Sequence, residues 1–188
     1  MKREYRRSEP LFSQCGLNCG LCPMYHIREE SHCPGCGGPG RPSCPILRWA
    51  GEHGGVEFCS LCPDWPCQRY VQEQADSFIP HRNARRDLET VKRVGLEHYR
   101  ETLGKKMEGL RFLLERCNDG RRKSLFCTAV NLLELEDVEA VIARLEEEFG
   151  PEYSPEEQKE RGSRAAELFR ERAQTRGVSL KLERQRKP

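Results

Sequence analysis

Apolar residues in the second half of the chain recur at three- and four-residue steps, a spacing that places them on one face of a helix. The longest series comprises Leu96, Tyr99, Leu103, Met107, Leu110, Leu114 and Cys117. A shorter series upstream, with Gly95 as a weak point or kink after it, comprises Leu88, Val91 and Val94. Residues 118–120, Asn-Asp-Gly, have the composition of a turn. We therefore predict a long helix that ends at Cys117.

Two further helices are predicted downstream. The apolar face of the first comprises Val138, Val141, Ile142, Leu145 and Phe149. Gly150-Pro151 closes that helix. The second begins at Ser154 as N-cap, with Pro155 at the first helical position and Glu157 completing a capping box. Its apolar face comprises Ala165, Leu168, Phe169 and Ala173, and Gly177 is a natural stop.

Two segments in the second half of the chain have patterns that are compatible with β-strands. Residues 124–133 are apolar without a clear period, so they are equally typical of a buried strand and of a helical turn. Val178, Leu180 and Leu182 alternate with polar residues, which predicts a short strand.

The first half of the chain has a different character, because nine of the 11 cysteines lie there among many glycines and prolines. Regular structure is expected to be sparse, with short helices predicted at Ile46–His53 and Cys67–Gln74. We predict a flexible arm at residues 1–9, a cysteine-rich metal-binding module at 10–80 and an α-rich domain at 81–188. The predicted fold class is α+β, mainly α: a small loop-rich module followed by helices with minor strand content.

The spacing of the nine cysteines is typical of metal ligation: C-x3-C-x2-C, then C-x2-C, one single cysteine, then C-x2-C-x4-C. The candidate ligands are Cys15, Cys19, Cys22, Cys33, Cys36, Cys44, Cys59, Cys62 and Cys67. Two thiolates two residues apart can chelate one metal from a single turn, and two such pairs complete a tetrahedral site. Nine thiols fit about two zinc ions with one thiol to spare.

The pairing of these thiols stays open at the level of sequence. The most conventional zinc pattern joins the Cys33–Cys36 pair with the Cys59–Cys62 pair. The first group of three thiols then needs a fourth ligand, for which the candidates are Cys44, Cys67, His26 and His53. Four-thiolate sites suit iron–sulfur clusters as well as zinc, so a cluster is the alternative cofactor.

Charge and composition exclude several classes of function. Net charge is +2, and the basic residues are interleaved with acids, so no nucleic-acid partner is indicated. The chain offers no apolar run that would span a bilayer and no secretory signal, so we expect a cytoplasmic protein without a membrane partner. A reducing cytosol favours metal over disulfides. The radical enzymes that use C-x3-C-x2-C carry it on a large α/β barrel, a pattern that this chain lacks.

Three segments together resemble a family of uncharacterised cysteine-rich prokaryotic domains. They are CGLNCGLCPMY from Cys15 to Tyr25, the pair Cys33-Pro-Gly-Cys36, and GVEFCSLCPDWPC from Gly55 to Cys67. Members open with CGL-[DN]-C-x-x-C and close with C-x-x-C-x-D-[YFW]-P-C, and the likeness covers roughly residues 12–72. The resemblance implies metal binding. Many relatives have further cysteines where Arg41 and Trp49 stand here, which implies a smaller site and leaves Cys44 as an orphan.

Three functions remain open on the sequence. The first is a non-enzymatic zinc protein whose thiolate sites structure a module that docks another protein. The second is an iron–sulfur protein for electron transfer or metalloenzyme maturation. The third is a thiol- or metal-dependent enzyme using Cys127, for which neither a catalytic base nor a small-molecule substrate is identifiable. Cys117 lies on an apolar stripe and is expected to be a buried, inert thiol.

Overall fold

The computed structural model describes residues 7–27, 29–38, 44–72, 75–150, 152 and 154–183, without the side chains of Glu29 and Gln72. Within these residues the chain forms seven α-helices. They are α1 (Pro45–Glu52), α2 (Gln68–Gln72), α3 (Ala84–Val94), α4 (Leu96–Arg116), α5 (Lys123–Leu132), α6 (Leu135–Phe149) and α7 (Gln158–Thr175). Four short 3-10 turns lie at Cys19–Leu21, Glu29–Ser31, Cys59–Leu61 and Pro155–Glu157.

The backbone contacts divide the chain into two units. The cysteine-rich unit comprises the described residues up to Tyr99 together with Glu183, and the helical unit comprises Arg100–Leu182. The first unit thus contains α3 and the beginning of α4 in addition to all nine candidate ligands. No helix of the described chain is long and apolar enough to cross a lipid bilayer.

The predicted minor strand content, and with it the α+β class, is wrong. Among the described residues β pairing is limited to one isolated antiparallel bridge between Phe12 and Asn18. An alternating segment forms a strand only where a second strand offers its backbone groups. After α7 the backbone N–H of Glu183 donates instead to the carboxylate of Asp76 at 2.7 Å, and the carbonyl oxygen of Glu183 accepts from the Asp76 N–H at 3.1 Å.

Most of the predicted helix boundaries are confirmed. Gly95, with φ at +89°, separates α3 from α4, and Gly177, with φ at +64°, follows the end of α7. Residues 124–132 are helical as part of α5, and Leu133 is its C-cap. The capping box of Ser154 is wrong, because the Ser154 hydroxyl donates to the Glu156 carboxylate at 2.6 Å and the first turn is 3-10. Predicted positions 73, 74 and 151 lie outside the described residues.

The core of the cysteine-rich unit forms around Phe12. Its ring centroid lies 5.2 Å from that of Phe58 and 4.6 Å from that of Tyr99. Leu21 and Leu88 are fully buried in the same unit. The core therefore joins the segment around the first cysteines to α3 and to the beginning of α4.

In the helical unit, α7 packs against α5 and α6. The ring centroids of Phe126 and Phe169 lie 6.2 Å apart at the α5–α7 contact. Gly109 lets α4 approach α6, because a Cβ there would lie 3.0 Å from a Val138 methyl group. The side chain of Arg161 is buried and donates to the backbone carbonyl of Phe149 at 3.0 Å, which satisfies the end of α6.

Candidate metal centre

All 11 cysteines lie within the described residues, and none of them forms a disulfide. The nine candidate ligands all belong to the cysteine-rich unit. In the conformation described, no group of three or more His, Cys, Asp or Glu side chains among the described residues is arranged so that it could hold a metal ion. The structure therefore places the nine thiols in one unit without bringing three of them into a closed ligand set.

Two of the C-x-x-C pairs form tight 3-10 turns. The N–H of Cys22 donates to the carbonyl of Cys19 at 3.1 Å, and the N–H of Cys62 donates to the carbonyl of Cys59 at 3.0 Å. Such a turn holds the two Cβ atoms of a pair on the same side of the backbone, as a chelating pair requires. Both predicted pairs therefore have the local backbone of a two-thiolate chelate.

The Cys33–Cys36 pair is fixed by the segment that precedes the first cysteine. The N–H of Cys36 donates to the carbonyl of Pro10 at 2.8 Å, and Gly35 between the pair has φ at +92°. A Cβ on Gly35 would lie 2.3 Å from the Pro10 oxygen, so the turn requires glycine for space as well as for conformation.

Cys15 lies beside Cys59. The N–H of Cys59 donates to the carbonyl of Gln14 at 2.9 Å, which joins the C-x-x-C turn to the residue before Cys15. The Sγ of Cys15 lies 3.1 Å from the hydroxyl of Ser13, within hydrogen-bonding distance. Two thiols that are 44 positions apart in the sequence thus share one neighbourhood.

The electrostatics of this neighbourhood disfavour thiolates in the absence of a cation. The pKa of Cys15 is raised to about 11, mainly by burial; the hydrogen bond with Ser13 opposes this effect, and the nearby thiols of Cys36 and Cys44 add to it. Burial also raises the pKa of Cys59 strongly, together with the charges of Cys15, Cys67 and Cys62. A bound cation would reverse this effect, because it stabilises the deprotonated form of each thiol.

Arg7 brings a positive charge close to Cys59. Its side chain is fully buried, and its guanidinium donates to the Phe12 carbonyl at 3.0 Å and to the Glu57 carbonyl at 2.9 Å. The Glu57 carboxylate completes an ion pair with it at 3.0 Å. The charge of Arg7 lowers the pKa of Cys59 and opposes the effect of burial. Sequence reasoning missed this residue, because it lies at the end of the segment predicted to be an arm.

A cavity of about 30 Å³ lies beside the last three cysteines. Its wall includes Cys59, Cys62, Cys67, Gln14, Trp65 and Tyr70. Gln14 is 1% exposed, and its amide nitrogen donates to the Val56 carbonyl at 2.8 Å. Within the part of the chain that the structure describes, the amide oxygen of Gln14 has no hydrogen-bond partner.

The four candidates for an additional ligand have distinct positions. Cys44 is the N-cap of α1, and its Sγ accepts a hydrogen bond from the Leu47 N–H at 3.2 Å. Cys67 immediately precedes α2 and borders the cavity. His26 Nε2 lies 2.8 Å from the Gly20 carbonyl oxygen. His53 Nδ1 lies 2.8 Å from the Trp49 carbonyl oxygen, and its ring stacks on Trp49.

The remaining two cysteines lie in the helical unit. Cys117 is 1% exposed, and burial raises the pKa of its thiol to about 11, so its prediction as a buried thiol is confirmed. Cys127 is 0% exposed within α5, which keeps its sulfur away from any substrate in solution.

The thiol donors and the chelating turns fit a thiolate-bound metal. The side chains of the described residues, however, are not arranged as a complete ligand set. Comparison of the chain with family models, with curated proteins and with solved structures finds no match.

Proposed function

We propose that the cysteine-rich unit is a thiolate metal-binding module that holds about two zinc ions, and that the ordered unit serves as a docking surface for another protein in the cytoplasm. The observation that carries this proposal is the pair of C-x-x-C turns at Cys19–Cys22 and Cys59–Cys62, each closed by a backbone hydrogen bond. Up to Gln72, the described part of this unit contains as regular structure only the short helices α1 and α2 and three 3-10 turns. Metal ligation would supply the stabilisation that a larger apolar core supplies elsewhere.

A non-catalytic role follows from the ligand chemistry. Zinc bound by four thiolates has no open coordination position for a substrate and no redox chemistry of its own. The proposal therefore assigns no catalytic residue, and the thiol considered for catalysis, Cys127, is buried in the helical unit.

The docking role rests on the exposed apolar side chains of the same unit. Leu61, between Cys59 and Cys62, is 59% exposed, and Val71 and Phe78 are 57% and 54% exposed. Together with Trp49 they are the exposed large apolar side chains of the described residues, and all of them belong to this unit. The proposal is that they contribute to one patch, which would favour a protein partner. Metal binding would then fix the turn that carries Leu61 and so fix part of the docking surface.

The test is metal analysis of protein purified under reducing, oxygen-free conditions. We expect a colourless protein with about two zinc ions per chain, and a Cys117→Ser variant with the same zinc content. Brown protein containing iron and acid-labile sulfide would overturn the zinc assignment in favour of an iron–sulfur protein. A folded chain that contains no metal, and takes none up from added Zn²⁺ or from iron and sulfide, would overturn the proposal altogether.

A further inference from the structure

Three of the candidate thiol ligands, those of Cys59, Cys62 and Cys67, line the cavity, and His53 is the candidate histidine that lines it as well. The other six candidate cysteines, Cys15 among them, do not contribute to its wall. Cys59 and Cys62 come from one 3-10 turn, and Cys67 comes from the residue before α2. Three cysteines from two neighbouring segments thus line the same cavity.

One residue of the cavity wall, Gln14, carries a buried polar atom that has no hydrogen-bond partner among the described residues. An amide oxygen that is buried without a hydrogen bond is costly to the fold, so such an atom indicates an occupant. The oxygen in question is that of Gln14, whose amide orientation is fixed because its nitrogen donates to the Val56 carbonyl. A space of about 30 Å³ is large enough for one water molecule or one ion. The unpaired oxygen is the negative end of a dipole, which would stabilise a cation, whereas the rest of the wall is mostly apolar and includes Arg69.

A fourth thiol is supplied by the residue that follows Gln14. The hydrogen bond from the Cys59 N–H to the Gln14 carbonyl holds Cys15 next to the same turn. Cys33 and Cys36 are held by other backbone bonds near the segment of Cys19 and Cys22, although Cys36 also lies near Cys15. The N–H of Cys33 donates to the Met24 carbonyl at 2.8 Å, near Cys22, and Cys36 is held by Pro10, whose neighbour Leu11 accepts from the Gly20 N–H at 2.9 Å.

We infer that Cys15, Cys59, Cys62 and Cys67 are the ligands of one metal ion, seated at the cavity beside Gln14. This assignment rests on the proposed function and adds to it the pairing of the thiols. The ligands of the second ion are then Cys19, Cys22, Cys33 and Cys36. Cys44 remains as the N-cap of α1. Ion binding requires that the side chains of the first set turn towards the cavity, since they do not form a complete ligand set as described.

The pairing can be tested by the zinc content of serine variants under reducing conditions. Cys15→Ser, Cys59→Ser and Cys67→Ser are each expected to lose the same ion, about half of the bound zinc, and the double variant C59S/C67S should lose no more than either single variant. Cys36→Ser should lose the other ion, and C36S/C59S should lose both. Cys44→Ser is the control expected to retain both ions.

A second measurement needs no substitution and so does not depend on whether a variant folds. In wild-type protein loaded with ¹¹³Cd²⁺, cadmium–proton correlation should connect one cadmium resonance to the β protons of Cys15, Cys59, Cys62 and Cys67. Correlations that mix the two sets, or additive zinc losses in Cys59→Ser and Cys67→Ser, would overturn the pairing and leave the metal-binding proposal intact. A wild-type chain that binds neither metal would overturn both.

Discussion

The hydroxyl of Tyr99 donates a hydrogen bond of 2.9 Å to the side-chain oxygen of Asn18, which lies inside the first cysteine loop. The amide nitrogen of Asn18 in turn donates to the carboxylate of Asp87 at 2.9 Å. The three residues are 4–8% exposed, so little water reaches these hydrogen bonds. This chain of bonds holds the loop between Cys15 and Cys19 against α3 and the beginning of α4.

Removal of the Tyr99 hydroxyl should therefore destabilise the cysteine-rich unit. Tyr99→Phe leaves the Asn18 oxygen buried without a donor, and we expect a loss of about 1–2 kcal/mol in the free energy of unfolding. Urea denaturation would show a lower midpoint with an unchanged slope. Tyr25→Phe is the matched control, since Tyr25 is only half-buried. Equal midpoints for Tyr99→Phe and the wild type would contradict the role of the hydroxyl.

The same loop makes Gly16 intolerant of any side chain. Gly16 has φ at +90°, and a Cβ there would lie 2.2 Å from the carbonyl oxygen of Ala84 in α3. Gly16→Ala should cost more than about 2 kcal/mol, because it combines backbone strain with a clash against a helix. Gly104→Ala, within α4, should instead stabilise by about 0.5–1 kcal/mol, since no atom lies near the added methyl group. Equal effects of the two substitutions on the urea midpoint would refute the argument.

The helices could be predicted where one face is apolar and the other polar, because this pattern repeats every three or four residues and can be recognised in a short stretch of sequence. The periodicity did not identify α5 as a helix, because every residue from Phe126 to Leu132 is buried and the segment has no polar face. The strand after α7 was predicted wrongly, because alternation is a local property whereas a strand needs a partner. The Ser154 cap was predicted wrongly because a nearby carboxylate competes for its hydroxyl.

For the candidate site, the sequence could predict the ligand types and the tight turns but not the groups around them. The C-x-x-C spacing determines the local backbone at Cys19 and Cys59. The bond from Gln14 to Val56 and that from Arg7 to Glu57 join residues 42 and 50 positions apart. Such contacts arise from tertiary packing and have no short-range pattern, so they became visible only in the folded chain.

The stability of the protein should depend on pH with opposite signs in the metal-free and metal-loaded states. In the metal-free state the pKa of Cys15 is raised on folding from 9.0 to about 11. The folded state therefore holds this proton more tightly, so its contribution to stability is complete below about pH 9 and is lost as the pH rises through about 11. With zinc bound, protons compete with the metal for the thiols, and stability is lost as the pH falls.

The direction in which stability changes with pH can be tested by measuring urea midpoints across this pH range, once with a chelator and once with added zinc. Cys15→Ser should flatten the metal-free profile at alkaline pH, while the contribution of the buried thiol of Cys117 stays the same in both proteins. Parallel pH profiles for the chelated and the zinc-loaded wild type would show that the thiols do not exchange protons for metal.

Replacement of Arg7 should separate its structural role from its charge. Arg7→Met removes two hydrogen bonds to backbone carbonyls and leaves the Glu57 carboxylate without its ion-pair partner, so we expect a loss of about 2–4 kcal/mol in stability. Four thiolates around one divalent ion carry a net charge of about −2, which a buried guanidinium stabilises. Loss of that charge should weaken zinc binding by roughly tenfold, or about 1.4 kcal/mol.

The comparison with Arg7→Lys decides between the two roles. Lysine keeps the positive charge but cannot reproduce the forked hydrogen bonds of the guanidinium, so this variant should be destabilised and yet bind zinc nearly as tightly as the wild type. Arg93→Met, which removes an exposed arginine of α3, should change neither property. The measurements are urea denaturation and competition for Zn²⁺ with a chromophoric chelator. Wild-type zinc affinity in Arg7→Met would mean that the buried guanidinium supports the fold alone, because its charge would then have no effect on the thiolate site.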